Sequence, residues 1–227
     1  MGIKIRKVSE VVDASVVNML VYGISGIGKT VLGSTAPKPL FLSAEDGLLS
    51  LKDTAGDIDV TEITSEKDLE EVLSFLRTTQ EYETVVIDSL SEFSQTLLAS
   101  LKDGERDKRQ AYGKMADSIL YYVRQFRKLP LHTVFIAKQV RIQDEASGRM
   151  LYAPKFPGKV LDSEMDYQLD EVFAMRFKKF DGKEYRVLQT QPDIEYSAKD
   201  RSGKLNMWEK PDLTAIIEKI TQTTEKS

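Results

Sequence analysis

The sequence predicts an α/β fold: a mainly parallel sheet flanked by helices, with an antiparallel hairpin near the C-terminus. Three observations predict it. Short apolar runs of strand length alternate with helix-periodic segments as far as residue 137, the pattern of strand–helix–strand units. After them EVFAMRFKKF and EYRVLQTQ flank Asp181-Gly182, a dipeptide suited to a tight hairpin turn. The composition is globular: 41% of the 227 residues are apolar and 30% charged, and no internal repeat interrupts it. The length suits one domain over 1–220, followed by a polar tail at 221–227.

VVNMLVY (16–22) reads as a buried strand closed by Gly23, and VLGSTA begins a helix before Pro37 and Pro39. Leu40–Ser43 is a second buried strand, ending in Ala44-Glu45-Asp46-Gly47. VTEI (60–63) is short and β-prone. Thr64 or Ser65 then caps a helix with Leu69, Val72, Leu73 and Leu76 on one face. Thr84–Ile87 is a strand with Asp88 at its tip, and a helix follows through Leu98. The polar stretch 101–114 reads as a loop, and helical spacing resumes from Asp117 to Leu129 until Pro130 stops it. Residues 132–137 form another buried strand, ending at Lys138 and Gln139, and a long loop runs from about 141 to 161. Pro211 starts the last helix.

Two near-absences narrow the chemistry. There is no cysteine, which removes disulfides, thiolate nucleophiles and Cys-based zinc sites. His132 is the sole histidine, which leaves no His cluster for a metal and little room for a Ser-His-Asp mechanism. Catalysis must run on carboxylates, lysines, hydroxyls, backbone amides and a hard cation such as Mg²⁺. No apolar run is long enough for a signal peptide or a membrane span. No membrane partner is therefore expected, and the expected compartment is the cytoplasm.

Gly23-Ile24-Ser25-Gly26-Ile27-Gly28-Lys29-Thr30 fits GxxxxGK(S/T) in full, between a strand and a helix. Glycines let the backbone turn its amides onto phosphate oxygens. Gly23, Ser25, Gly26, Ile27, Gly28, Lys29, Thr30 and Val31 are thus the expected nucleotide contacts, with ATP and Mg²⁺ as ligands. Lys29 would reach the terminal phosphates, and Thr30 with Asp88 would hold the metal. A carboxylate must also orient the attacking water. Ser89 follows Asp88, so no glutamate stands there. Glu45, at the end of the second strand, is the better candidate, with Asp46 its rival.

These residues resemble the RecA family, in which a catalytic glutamate ends the strand after the phosphate-loop helix. The resemblance implies a RecA-like P-loop core, Glu45 as that glutamate, and Gln139 as a γ-phosphate sensor coupled to a DNA loop. Lys138 stands where RecA has Asn. The whole chain is also similar to the phage Sak-type single-strand annealing and recombination ATPases. Their pattern is matched by VYGISGIGKT, by Leu188-Gln189-Thr190-Gln191-Pro192-Asp193, by Ala198-Lys199-Asp200-Arg201 and by Glu209-Lys210-Pro211-Asp212-Leu213. That resemblance implies a phage-encoded protein in the host cytoplasm. It also implies a homo-oligomeric ring or filament, with Lys199 and Arg201 facing a neighbour's ATP, and a single-strand DNA-binding protein as a possible partner.

Charge is uneven along the chain. Residues 1–100 hold 8 basic and 16 acidic side chains, whereas 101–227 hold 24 and 20. Two segments gather the basic ones: Lys102, Arg106, Lys108, Arg109 and Lys114 with Tyr112, and Arg141, Arg149, Lys155 and Lys159 with Tyr152 and Phe156. Cations beside aromatic rings suit single-stranded DNA, and the RecA resemblance puts the DNA loops in these intervals. The reading is an ATP-hydrolysing recombination or annealing protein that binds single-stranded DNA. A ring-forming DNA motor or helicase loader, a P-loop small-molecule kinase and a nucleotide-gated interaction module use the same motif and stay open. A guanine-reading (N/T)KxD is absent.

Overall fold

The structure, a computed structural model, describes residues 15–45, 51–52, 58–104, 107–143 and 148–222. Its elements, in chain order, begin with β1 (Asn18–Gly23), α1 (Lys29–Gly33), β2 (Pro39–Ser43), β3 (Asp59–Glu62) and α2 (Glu66–Leu76). Next come β4 (Thr84–Asp88), α3 (Leu90–Gly104), α4 (Lys108–Phe126), β5 (His132–Gln143), β6 (Met150–Lys155) and α5 (Lys159–Gln168). The C-terminal part holds β7 (Glu171–Phe180), β8 (Lys183–Gln189), β9 (Lys199–Asp200), β10 (Trp208–Glu209) and α6 (Leu213–Thr221).

Among the described residues the strands form one sheet in the order β10-β8-β7-β1-β5-β4-β2-β3. From β7 to β3 every neighbour is parallel. The antiparallel pairs lie on the C-terminal side, β7 with β8, β8 with β10 and β7 with β9, and at β5 with β6. The fold is therefore the expected one.

Burial explains the parallel core. In β1, Leu20 and Tyr22 point to one face and Met19 and Val21 to the other, all fully buried. The first face is covered by α2, α3, α4 and α5 through Leu69, Phe93, Ile119, Val123 and Leu161. The second is covered by α1 and α6 through Leu32, Ile216 and Ile217. Each buried leucine or isoleucine stabilises the fold by about 1.5–3 kcal/mol.

Local signals act where they were read. Ser65 caps α2 and shares a capping box with Asp68. Asp181 (φ 49°) and Gly182 (φ 77°) turn the β7–β8 hairpin, both with the positive φ that a two-residue turn of this hand needs.

Three expectations are corrected. Residues 101–114 are largely helix: α3 runs to Gly104, and α4 starts at Lys108 on an Asp107 cap. Ala111 and Met115 carry the buried stripe of α4 back past its polar first turn. The stretch 141–161 is not one loop. Strand β5 continues to Gln143, and β6 returns beside it, from Gln143↔Met150 to Lys138↔Lys155. Partial exposure of this hairpin leaves it without the apolar run that marks a buried strand. The last helix begins after Pro211, with Asp212 as its cap accepting from the Ala215 amide.

Candidate nucleotide-binding site

Strands β1, β2, β4 and β5 all run toward the same edge of the sheet, the edge where open α/β sheets bind ligands. β5 lies between β1 and β4. The residues at 138 and 139 therefore emerge between the glycine loop and Asp88. A pocket of about 700 Å³ opens here, lined by Gly23, Ser25, Gly26, Gly28, Lys29, Thr30 and Val31 of the loop. Glu45, Asp88, Ser89, Lys138, Gln139, Lys155 and Arg186 complete its wall. Ile27 is the exception among the expected loop contacts: it does not line the pocket, and its side chain is buried in the α1-side core.

Lys29 Nζ donates to the carbonyls of Gly23 (3.0 Å) and Ile24 (3.1 Å). Burial lowers the pKa of its ammonium, against the pull of Asp88 and Glu45. Thr30 Oγ1 donates to Asp88 Oδ2 at 2.6 Å. Burial raises the pKa of the Asp88 carboxyl, which the Thr30 hydroxyl and Lys29 oppose. The pair would be relieved by a cation between the hydroxyl and the carboxylate. Among the described residues no cluster of three or more His, Cys, Asp or Glu could hold a metal by itself. One carboxylate and one hydroxyl suit a Mg²⁺ that takes its other ligands from phosphates and water.

Glu45 Oε1 accepts from Ser89 Oγ at 2.9 Å and lies 3.8 Å from Lys138 Nζ. Lys138 is itself bound to Glu92, which raises its pKa. Its backbone amide donates to Ser91 Oγ at 2.9 Å. Glu45 is thus held by one group from α3's leading edge and one from β5. Asp46 lies outside the described residues.

Lys199 and Arg201 are not brought to this pocket. They sit at the other end of β7, where Lys199 pairs with Val172 and Asp200 with Glu171. Lys199 Nζ donates to the carbonyls of Asp166 and Leu169, both at 2.7 Å, closing the end of α5. Arg201 donates to Asp170 at 2.6 Å with its side chain half exposed.

The basic candidates are partly brought together. Lys102, near the end of α3, stacks on Tyr112 of α4 at 4.5 Å. The Tyr112 ring packs against Gly158, next to Lys159. The two basic segments therefore meet at one surface. Arg141 lies over Tyr152 on the β5–β6 hairpin, and Lys155 reaches the nucleotide pocket itself. Lys108, Arg109 and Lys114 lie on α4, and Arg149 just before β6. Arg106 lies outside the described residues. No helix among the described residues is long and apolar enough to cross a membrane.

Ser89 and Arg186 were not anticipated. Ser89 appeared in sequence only as a missing glutamate. Arg186 sits on a strand with no motif, and only the β7–β8 register, counted from the Asp181-Gly182 turn, puts it on the loop's side of the sheet.

A strand, a glycine loop ending in Lys-Thr and a helix, facing a strand-end aspartate across one intervening strand, define a P-loop nucleotide-binding ATPase core. The profile of the AAA domain family (AAA_24) matches residues 15–202, and the chain belongs to that family. Among solved structures, the KaiC-like protein PH0186 from the hyperthermophilic archaeon Pyrococcus horikoshii OT3 is similar, with a TM-score of 0.47 and 13% identity, over 76% of each chain. A search of curated proteins found none that matches.

Proposed function

We propose that this chain is a Mg²⁺-dependent ATPase that binds single-stranded DNA and serves recombination or annealing, in the manner of the phage Sak-type group. The observation that carries the reading is the continuity of the nucleotide pocket with a basic, aromatic surface. Lys155 ends β6 at the pocket. The same hairpin bears Arg141 on Tyr152, and the chain then runs to Gly158 and Lys159 beside Tyr112 and Lys102. A change of phosphate at Gln139 can therefore move the strand that carries DNA-binding groups.

Thr30 and Asp88 would hold Mg²⁺, which when bound screens phosphate charge. Lys29 exchanges the carbonyls of Gly23 and Ile24 for phosphate oxygens. Glu45, fixed by Ser89 and Lys138, aligns a water and takes its proton as the water oxygen bonds to the γ-phosphorus. The bond from that phosphorus to the ADP oxygen breaks, and ADP leaves with the electron pair. Arg201, half exposed beyond its pair with Asp170, is the group better placed to face a neighbouring protomer. Lys199 is occupied with the end of α5.

The test is the steady-state ATPase rate with and without single-stranded DNA, beside Lys29→Ala. The expected result is stimulation by single strands and a loss of at least 10²-fold in the variant. A rate indifferent to DNA that rises only with a small hydroxyl or amine acceptor would replace this reading with a kinase.

A further inference from the structure

We propose that Arg186 contacts the nucleotide's phosphate chain, supplied in cis by the β7–β8 hairpin. The inference rests on the ATPase reading above and adds to it a residue outside every motif.

Gly28 carries the geometric argument. It immediately precedes Lys29 and adopts φ 99°. A Cβ built on it would lie 3.1 Å from Arg186 Nη1, 3.3 Å from Cζ and 3.7 Å from Nε. The guanidinium therefore lies across the backbone of the phosphate loop and lines the same pocket as Lys29, Thr30 and Asp88. A side chain at position 28 would displace it, so the bare glycine serves the arginine as well as the turn.

The hairpin register explains how it arrives there. Arg186 pairs across β7–β8 with Phe177, and Leu188 with Met175. Met175 and Leu188 are buried on the α1 side of the sheet. Alternation then puts Phe177 and Arg186 on that side too. The guanidinium lies over the Phe177 ring at 5.8 Å, a rest for its apolar stem and planar head.

Its charge has no carboxylate partner among the described residues. Arg176 meets Asp193 and Glu195, while Arg127 and Arg201 meet Asp170. At the pocket wall, Lys138 is engaged by Glu92 from outside the lining, and Asp88 and Glu45 act on Lys29. Arg186 thus stands with Lys29 and Lys155 as a cation lining the pocket that no carboxylate among the described residues pairs with in an ion pair, open to an incoming anion. A guanidinium presents planar paired donors that match phosphate oxygens, and a hydrogen-bonded charge contact of this kind is worth about 10–100-fold in affinity.

The experiment is titration of Mg-ATP and Mg-ADP onto the purified chain, its Arg186→Ala, Arg186→Gln and Arg186→Lys variants, and Lys29→Ala. The expected result is affinity for Mg-ATP weakened about 10–100-fold in Arg186→Ala and Arg186→Gln, with part recovered by Arg186→Lys. The defect should be the same at low and high protein concentration, because the group belongs to the protomer whose loop it covers. Loss with ATP alone would assign the guanidinium to the γ-phosphate; loss with both nucleotides would assign it to the β-phosphate. Should Arg186→Ala fail to fold by circular dichroism, Arg186→Gln carries the comparison. Wild-type affinity in a folded Arg186→Gln variant, with binding lost in Lys29→Ala, overturns the inference and leaves the nucleotide reading intact. A defect that appears only at concentrations where protomers associate overturns the cis assignment. A wild-type chain that binds neither nucleotide overturns both.

Discussion

Glu171 opens β7 with its carboxyl buried opposite Asp200. Its Oε1 accepts from the Ser202 amide at 3.1 Å, and its Oε2 has no partner among the described residues. Burial first, and then the Asp200 charge, push its pKa from 4.5 up to about 8. The unfolded chain gives up this proton near pH 4.5, while the folded chain keeps it to about pH 8. Between those values the unfolded state binds fewer protons, so this group makes stability fall as pH rises. Glu171→Gln copies the protonated form and removes the penalty. At pH 8 the variant should be more stable by at most about 4–5 kcal/mol, or roughly 8–20 °C in Tm, with the gain vanishing toward pH 4.5. Melting curves across pH decide it: an equal difference at both ends would show that the carboxyl does not change charge in this window. At this same scale the sequence was most legible where a strand end carries a polar residue. Lys29, Thr30, Glu45 and Asp88 all converge on one pocket, because parallel buried strands deliver their C-terminal residues to a common edge. Arg186 was not legible, because nothing in its neighbours says which strand its hairpin joins.

At the scale of elements, α1 is held by more than its own five residues. Leu213, Ile216 and Ile217 of α6 are buried on its side of the sheet, and two hydrogen-bonded seams join the helices just beyond α1. Thr35 Oγ1 accepts from the Leu213 amide at 2.8 Å, and the Thr35 carbonyl accepts from Thr214 Oγ1 at 2.6 Å. The C-terminal helix therefore braces the helix that carries Lys29 and Thr30. Thr35→Val keeps the shape and deletes the first acceptor, leaving an amide of the first turn of α6 without its partner. A loss of about 1–2 kcal/mol, or roughly 2–8 °C, should appear by thermal melting. An unchanged Tm would mean that water caps α6 as well as Thr35 does. This brace could not be read in advance, since 178 residues separate Thr35 from Leu213. The same holds for the misread polar segments. A loop and a half-exposed hairpin look alike in composition, and only the ladder from Lys138↔Lys155 to Gln143↔Met150 separates them.

At the scale of the molecule, the sheet order turns the sequence's charge asymmetry into a direction. Among the described residues, the β2–β3 side carries part of the acidic first hundred, with Glu66, Asp68, Glu70 and Glu71 on α2. The opposite side of the sheet carries part of the more basic remainder, with Arg176, Lys178, Lys179, Lys183 and Arg186 on the β7–β8 hairpin. A net charge of −4 therefore conceals a dipole that would turn one side toward a polyanion and the other away. If the surface joining Lys102, Tyr112 and Lys159 grips single-stranded DNA, each cation neutralises about one phosphate, and the slope of log K against log salt falls by roughly 0.7 for each one lost. Changing Lys102, Arg141 and Lys159 together to Ala should weaken binding at 0.1 M salt and flatten the slope by about 2. Anisotropy of a labelled single strand, titrated at several salt concentrations, measures both quantities. The pairing of weaker binding with a flatter slope is the signature of lost phosphate contacts. Weaker binding with an unchanged slope would instead point to lost stacking on Tyr112 and Tyr152, and an unchanged affinity would move the DNA to another face, with Lys178, Lys179, Lys183 and Arg186 of the β7–β8 hairpin the next to test.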